Sequence, residues 1–230
     1  MKICAISDTH GLLPKIPECD VLVIAGDILP LEIQRKTIDS AAWLAGPFQK
    51  WALKVKCKNV VLIAGNHDFI FQELYHKYYG SRQVHDILFQ NDKKLKIRYL
   101  CDSHTVIEDK MFYGIPWCPE LKNWAFYADK EELQYRAKAI PDCDVLVTHC
   151  PPKIGDQGVV LQENNWNNGR NFGCQEYAEV CLTKNIKWVV SGHIHSGNHE
   201  VEKFVGTSFV NVSMKDENYY QAYNPFIFEI

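Results

Sequence analysis

Val60-Val-Leu-Ile-Ala-Gly-Asn-His-Asp68 reads as a buried strand that stops on a polar cluster, and the same pattern recurs along the chain. Lys2-Ile-Cys-Ala-Ile-Ser7 runs into Asp8-Thr9-His10-Gly11, and Val21-Leu-Val-Ile-Ala25 into Gly26-Asp27. Asp144-Val-Leu-Val147 runs into Thr148-His149-Cys150, and Lys187-Trp-Val-Val-Ser191 into Gly192-His193-Ile194-His195. Short, continuous β-branched runs suit strands covered on both faces. Between them, 34–53 places Ile38, Ala41, Ala42, Leu44, Ala45 and Phe48 at helical spacing, and 69–79, 130–140 and 174–184 read as further helices. This alternation predicts an α/β sheet with crossovers, whose ligands sit beyond the carboxyl ends of the strands.

Two other stretches carry strands. The middle, 87–117, shows no helical pattern and predicts short strands at 96–100, 105–108 and 111–115, and the tail, 204–230, is similar. A second sheet packed on the first gives both stretches an apolar face to cover. Neither a repeat nor a linker divides the chain, so one domain over 1–230 is expected. Residues 162–171, with five asparagines, Trp166, Gly169 and Arg170, read as a surface loop.

The 230 residues are 47% apolar and 23% charged, which excludes disorder and coiled coil and supplies enough chain for a full core without staples. A formal charge of −3 gives no global positive field, so nucleic acid is not an expected partner. Lys94, Lys96 and Arg98 alternate, which fits an edge strand protected by charge better than a nucleic-acid stripe. The nine cysteines are scattered, with no two-residue gap of a zinc knuckle or redox motif, and read as small buried hydrophobes in a reduced, cytoplasmic protein. Packing is also the reading for Cys150 beside His149. No apolar run approaches the roughly 18 residues of a membrane span.

The polar strand ends bring Asp8, His10, Asp27, Asn66, His67, Asp68, His149, His193 and His195 to one edge, with five of the nine histidines of the chain. Singly, each is an ordinary turn or cap residue. Together, imidazole nitrogen, carboxylate oxygen and amide oxygen aimed at one crevice suit Mn, Fe, Zn, Ni or Co, and are too rich in histidine for Ca or Mg. Seven candidate ligands exceed the needs of one tetrahedral ion but fit two, with one carboxylate shared. Two divalent ions roughly 3.5 to 4 Å apart can hold a bridging hydroxide and clamp a phosphoryl group, which makes metal-assisted phosphoester hydrolysis the expected reaction class.

The blocks Asp8-Thr-His10, Gly26-Asp27, Gly65-Asn-His-Asp68, Thr148-His149 and Gly192-His-Ile-His195, in that order, resemble the D-x-H, G-D, G-N-H-[DE], H and G-H-x-H blocks of the calcineurin-like metallophosphoesterases. Gly-Ile-Pro-Trp-Cys-Pro at 114–119 resembles the small members, including cyclic-nucleotide phosphodiesterase relatives. The resemblance implies a four-layer αββα sandwich of two mixed β-sheets flanked by helices, with the dinuclear site at the carboxyl ends of strands. It implies that Asp8, His10, Asp27 and His195 hold one metal and Asp27, Asn66, His149 and His193 the other, with manganese favoured. His67 would face the leaving group and Asp68 would orient a histidine. Arg170 is a candidate for a substrate phosphate. The expected function is hydrolysis of a small phosphomonoester or phosphodiester, a cyclic nucleotide included. A nuclease and a metal-bound interaction module without turnover are the alternatives. The substrate is expected to be set by loops 28–35, 116–124 and 151–170.

Overall fold

The computed structural model describes residues 1–78, 80–89 and 97–230. Two mixed sheets form its centre. In the first, β1 (Lys2–Ile6), β2 (Cys19–Ala25), β3 (Cys57–Ile63) and β4 (Ile97–Tyr99) run parallel, and the C-terminal strand, β11 (Phe226–Glu229), lies antiparallel on β1. The second has the order β5 (Ser103–Ile107), β6 (Lys110–Ile115), β7 (Cys143–Thr148), β8 (Ile186–Ser191), β10 (Thr207–Asn211) and β9 (Glu202–Phe204). Its four inner strands are parallel and its two edge strands antiparallel.

Alternation along each strand divides the core into layers. Ile3, Val21, Val23, Val61 and Ile63 face Phe112, Val145, Val147, Val190 and Val210 between the sheets. Each such burial contributes about 2 kcal/mol. The intervening residues Cys4, Ile6, Leu22, Ile24 and Leu62 pack with Leu44, Phe48 and Phe71 of the helical segments, and Leu146 and Val189 belong to the same apolar cluster as Leu133 and Tyr177. The result is the expected helix, sheet, sheet, helix order.

The helices are α1 (Thr37–Trp43), α2 (Gln49–Ala52), α3 (Phe69–Tyr78), α4 (Ser81–Phe89), α5 (Lys130–Lys138) and α6 (Gln175–Thr183). Two expectations are corrected. The helix expected over 34–53 is broken by a π-helical turn, Leu44–Phe48, around Pro47, which has no N–H to donate and widens the ladder. Helix α4 enters the stretch expected to hold only strands, because Val84 and Leu88, four residues apart, both reach the core. Arg98 lies on β4, an edge strand, and donates from Nη1 to Asn59 Oδ1 at 2.6 Å, whereas Lys94, Lys96 and Tyr79 lie outside the described residues.

The sheets meet at one end. Ser7, just past β1, donates its N–H to the Val212 carbonyl at 2.9 Å and accepts from Met214 N–H at 3.0 Å, so the chain after β10 is stitched to the end of β1.

Candidate metal centre

The same edge carries the polar strand ends of both sheets. Asp8 and His10 follow β1, Asp27 follows β2, and Asn66, His67 and Asp68 follow β3; from the second sheet, His149 follows β7, and His193 and His195 follow β8. Two cross-sheet bonds fix the meeting point. His149 Nδ1 donates to the Ala25 carbonyl at 2.8 Å, and the His193 N–H donates to Asp8 Oδ2 at 2.9 Å. Asp8, His10, Asp27 and His193 adopt positive φ of 51°, 42°, 54° and 69°. A left-handed backbone costs a non-glycine residue about 1 to 2 kcal/mol, and four such residues at one place mark a site held by its surroundings. Gly192 is required here. A Cβ on it would collide with Asp8 Oδ2 and Ser7 Oγ.

Asp27 is central. Its Oδ1 accepts the His67 N–H at 2.8 Å, while Oδ2 faces His149 Nε2 at 3.4 Å and the Nε2 atoms of His10 and His67 at 3.8 Å. His195 Nε2 lies 3.4 Å from both Asp8 Oδ1 and His10 Nε2. Asn66 Oδ1 lies 2.9 Å from His149 Nε2. Ligand atoms of Asp8, His10 and His195, and likewise of Asp8, Asp27 and His149, lie within 4.8 Å of one another.

The chemistry of this donor set fits cations. His149 and His195 spend their Nδ1 protons on the carbonyls of Ala25 and Asp216, the latter at 2.8 Å, so each neutral ring turns an Nε2 lone pair inward. There it meets more acceptors: Asn66 Oδ1, Asp27 Oδ2 and Asp8 Oδ1. His10 Nδ1 is buried with no hydrogen-bond partner among the described residues, and the buried Asp8 Oδ1 has only the His195 ring nearby, 3.4 Å away. Such a cluster is stable only when protons or metal ions lie between the acceptors.

In the metal-free protein the protons are drawn in. Burial disfavours charge on His149, but the Asp27 carboxylate outweighs it and pushes the ring up to about 10. Against the same burial, the hydrogen bond to Asp8 and its charge push His195 up to about 9. His10 and His193 are pushed down to about 3 by burial. Asp27 is held well below the carboxylate range by His149 and His67, despite its burial.

His67 turns its face to the Trp124 ring, with centroids 4.4 Å apart, and its Nδ1 is hydrogen-bonded to Gln34 Oε1. Asp68 needs a correction. It was expected to orient a histidine, but its carboxylate accepts the backbone N–H groups of Gly65 at 2.9 Å and of Ile28 and Leu29 at 3.1 Å, and so pins the β2 and β3 loops together. Burial and then the Asp27 charge push it up to about 7. Arg170 spends Nη1 on Asn167 Oδ1 at 2.8 Å and stacks on Trp166 and Phe172, all contacts in or beside its own loop.

Sequence reasoning overlooked several neighbours. Gln34 and Trp124 fall within rims named only as loops. Tyr219, which packs on His10 and His195 at 4.9 and 5.1 Å, comes from the distant tail, where nothing local signals it. Cys118 has a sulfur within 4.8 Å of ligand nitrogens of His149 and His193, and only the loop it sits in gave a hint.

The chain as a whole is similar to known proteins. A UPF0046 protein of Caenorhabditis elegans is 29% identical over 257 residues, an alignment covering all of this chain and 60% of that protein. Human metallophosphoesterase domain-containing protein 1 is 26% identical over 249 residues, covering all of this chain and 71% of that one. Among solved structures, phosphopantetheinyl hydrolase from Mycobacterium tuberculosis shares the fold, with a TM-score of 0.50 and 17% identity over 94% of this chain and 90% of that one. No helix among the described residues is long and apolar enough to cross a membrane. The profile of the calcineurin-like phosphoesterases matches residues 1–197, and the chain belongs to that family.

Proposed function

We propose that residues 1–230 form one domain that hydrolyses a small phosphomonoester or phosphodiester with two divalent transition-metal ions. Asp8, His10, Asp27 and His195 would hold one ion, and Asp27, Asn66, His149 and His193 the other. The observation that carries this reading is the inward-facing crowd of acceptors around Asp27, whose Oδ2 lies 3.4 Å from His149 Nε2. Bound there, such ions supply Lewis acidity, withdrawing charge from phosphoryl oxygens and acidifying water.

The protein's own residues do the rest. Gln34 Oε1 accepts from His67 Nδ1, which leaves Nε2 of that ring facing the site, 3.8 Å from Asp27 Oδ2. From this position a protonated His67 gives its Nε2 proton to the departing oxygen, or stabilises the alkoxide through its charge. Asp68 keeps the two loops in register. Trp124 and Tyr219 line the crevice beside His67. The net charge of −3 favours small esters over nucleic acid, and nine free thiols fit a reducing, cytoplasmic setting.

The test is turnover of bis-(p-nitrophenyl) phosphate by chelator-stripped protein reloaded with Mn, Co, Zn or Fe, followed by a panel of cyclic nucleotides and mononucleotides. Activity should rise with loading and level off near two ions per chain. A folded protein that turns over nothing with any of these ions would overturn the proposal.

A further inference from the structure

Cys118 lies in the loop after β6 and is completely buried. The backbone around it is rigidly tied: its N–H donates to the Phe126 carbonyl at 2.8 Å and its own carbonyl accepts from Ala128 N–H at 3.1 Å. Its sulfur and the ligand nitrogens of His149 and His193 lie within 4.8 Å of one another. We propose that Cys118 is a thiolate ligand of the ion held by His149 and His193, which makes that half of the centre a softer site than its histidines and oxygens alone would give. The inference rests on the two-ion reading above.

Bond lengths make the geometry workable. Sulfur at about 2.3 Å and nitrogen at about 2.0 to 2.1 Å from one ion stand about 3 to 3.6 Å apart, so the three side chains need to close by on the order of 1 to 2 Å. The rival explanation is simple packing, with the thiol donating to the Pro116 carbonyl at 3.6 Å. Against packing alone stands a second group of ligand atoms, those of Asp8, Asp27 and His149, which lie within 4.8 Å of one another and share the His149 ring. That group, with the bridging candidate Asp27 in it, calls for a cation beside His149 independently of the sulfur. Cys150, although next to His149 in sequence, directs its thiol to the Phe172 and Pro151 carbonyls at 3.5 and 3.6 Å. Among the described residues, Cys118 is the cysteine whose sulfur groups with the two histidine nitrogens.

When the metal–sulfur bond forms, the thiol proton leaves to solvent, and the thiolate favours Co, Zn or Fe over Mn. Full-length wild type, Cys118→Ser and Cys150→Ser, stripped and reloaded with excess cobalt, should each bind the ion. Wild type and Cys150→Ser should show a near-ultraviolet thiolate-to-cobalt absorption that Cys118→Ser lacks. The preference for cobalt over manganese should fall at least tenfold in Cys118→Ser. Zinc-loaded wild type should give a sulfur scatterer at about 2.3 Å in X-ray absorption, which decides the matter even if the serine variant misfolds. Two bound cobalt ions without the thiolate absorption, or an absorption that survives in Cys118→Ser, would overturn the assignment and leave the two-ion reading standing. Failure of folded wild type to bind cobalt at all would instead overturn the two-ion reading itself.

Discussion

Replacing Asp27 by Asn keeps the size of the side chain but removes its charge and turns one acceptor into a donor. Asn Oδ1 keeps the 2.8 Å bond from His67 N–H, while the second carboxylate oxygen, which faces three imidazole nitrogens at 3.4 to 3.8 Å, is replaced by a neutral NH2 group that donates instead of accepting. At an effective dielectric of about 20, the 3.4 Å attraction to His149 amounts to about 5 kcal/mol, between three and four decades of proton affinity. That attraction is the main reason why His149 titrates above its ordinary range despite its burial, with Asp8 and the Ala25 carbonyl adding to it. Without the carboxylate, burial prevails and the ring becomes neutral near pH 7. The sign follows for stability as well. In the wild-type apoprotein His149 contributes stability that is full below pH 6.5 and fades as pH rises toward about 10, and the variant lacks that slope. Nitrogen NMR of the His149 ring in chelator-treated protein should show a retained proton at pH 8 in wild type and none in Asp27→Asn. Metal content should fall from two ions per chain to at most one. A variant whose His149 stays protonated at pH 8, or which keeps both ions, would refute this account of Asp27.

His67→Ala should keep both ions yet lose about 10²- to 10⁴-fold in rate on a poor leaving group such as a ribose alkoxide, and much less on p-nitrophenolate; equal losses would move His67 from assisting departure to positioning phosphate. Asp68→Ala strips the acceptor from Gly65, Ile28 and Leu29 N–H and should cost about 3 kcal/mol, read as a lower urea midpoint with unchanged slope. Metal loading at pH 7.5 should release protons from His149 and His195, held to about 10 and about 9, so calorimetric heats should vary with buffer ionisation enthalpy, and occupancy should fall as pH drops. Heats independent of the buffer would contradict the protonated apo site.

Much of this was legible in the sequence because the strands announce themselves by period and their ends by residue type. A run such as 60–64 has one reading when it stops at Gly65-Asn-His-Asp68. The misses have physical causes. Pro47 sits in good helical periodicity, and only the ladder geometry reveals the π turn. Helix α4 shows just Val84, Leu88 and Phe89 to the core, too few to outweigh the strand-rich residues that follow. For Asp68, whether the carboxylate meets a ring or a backbone N–H depends on the path of two loops distant in the chain. Tyr219 and Cys118 reach the histidines through tertiary folding alone.

The most direct test of the central claim is anomalous diffraction from crystals of the reloaded protein, collected at the absorption edge of the metal used. Two peaks should appear at the meeting point of the strand ends, roughly 3.5 to 4 Å apart, with Asp27 between them, His10 and His195 on one and His149 and His193 on the other. A single peak, or none near Asp27 in protein that hydrolyses phosphoesters, would contradict it.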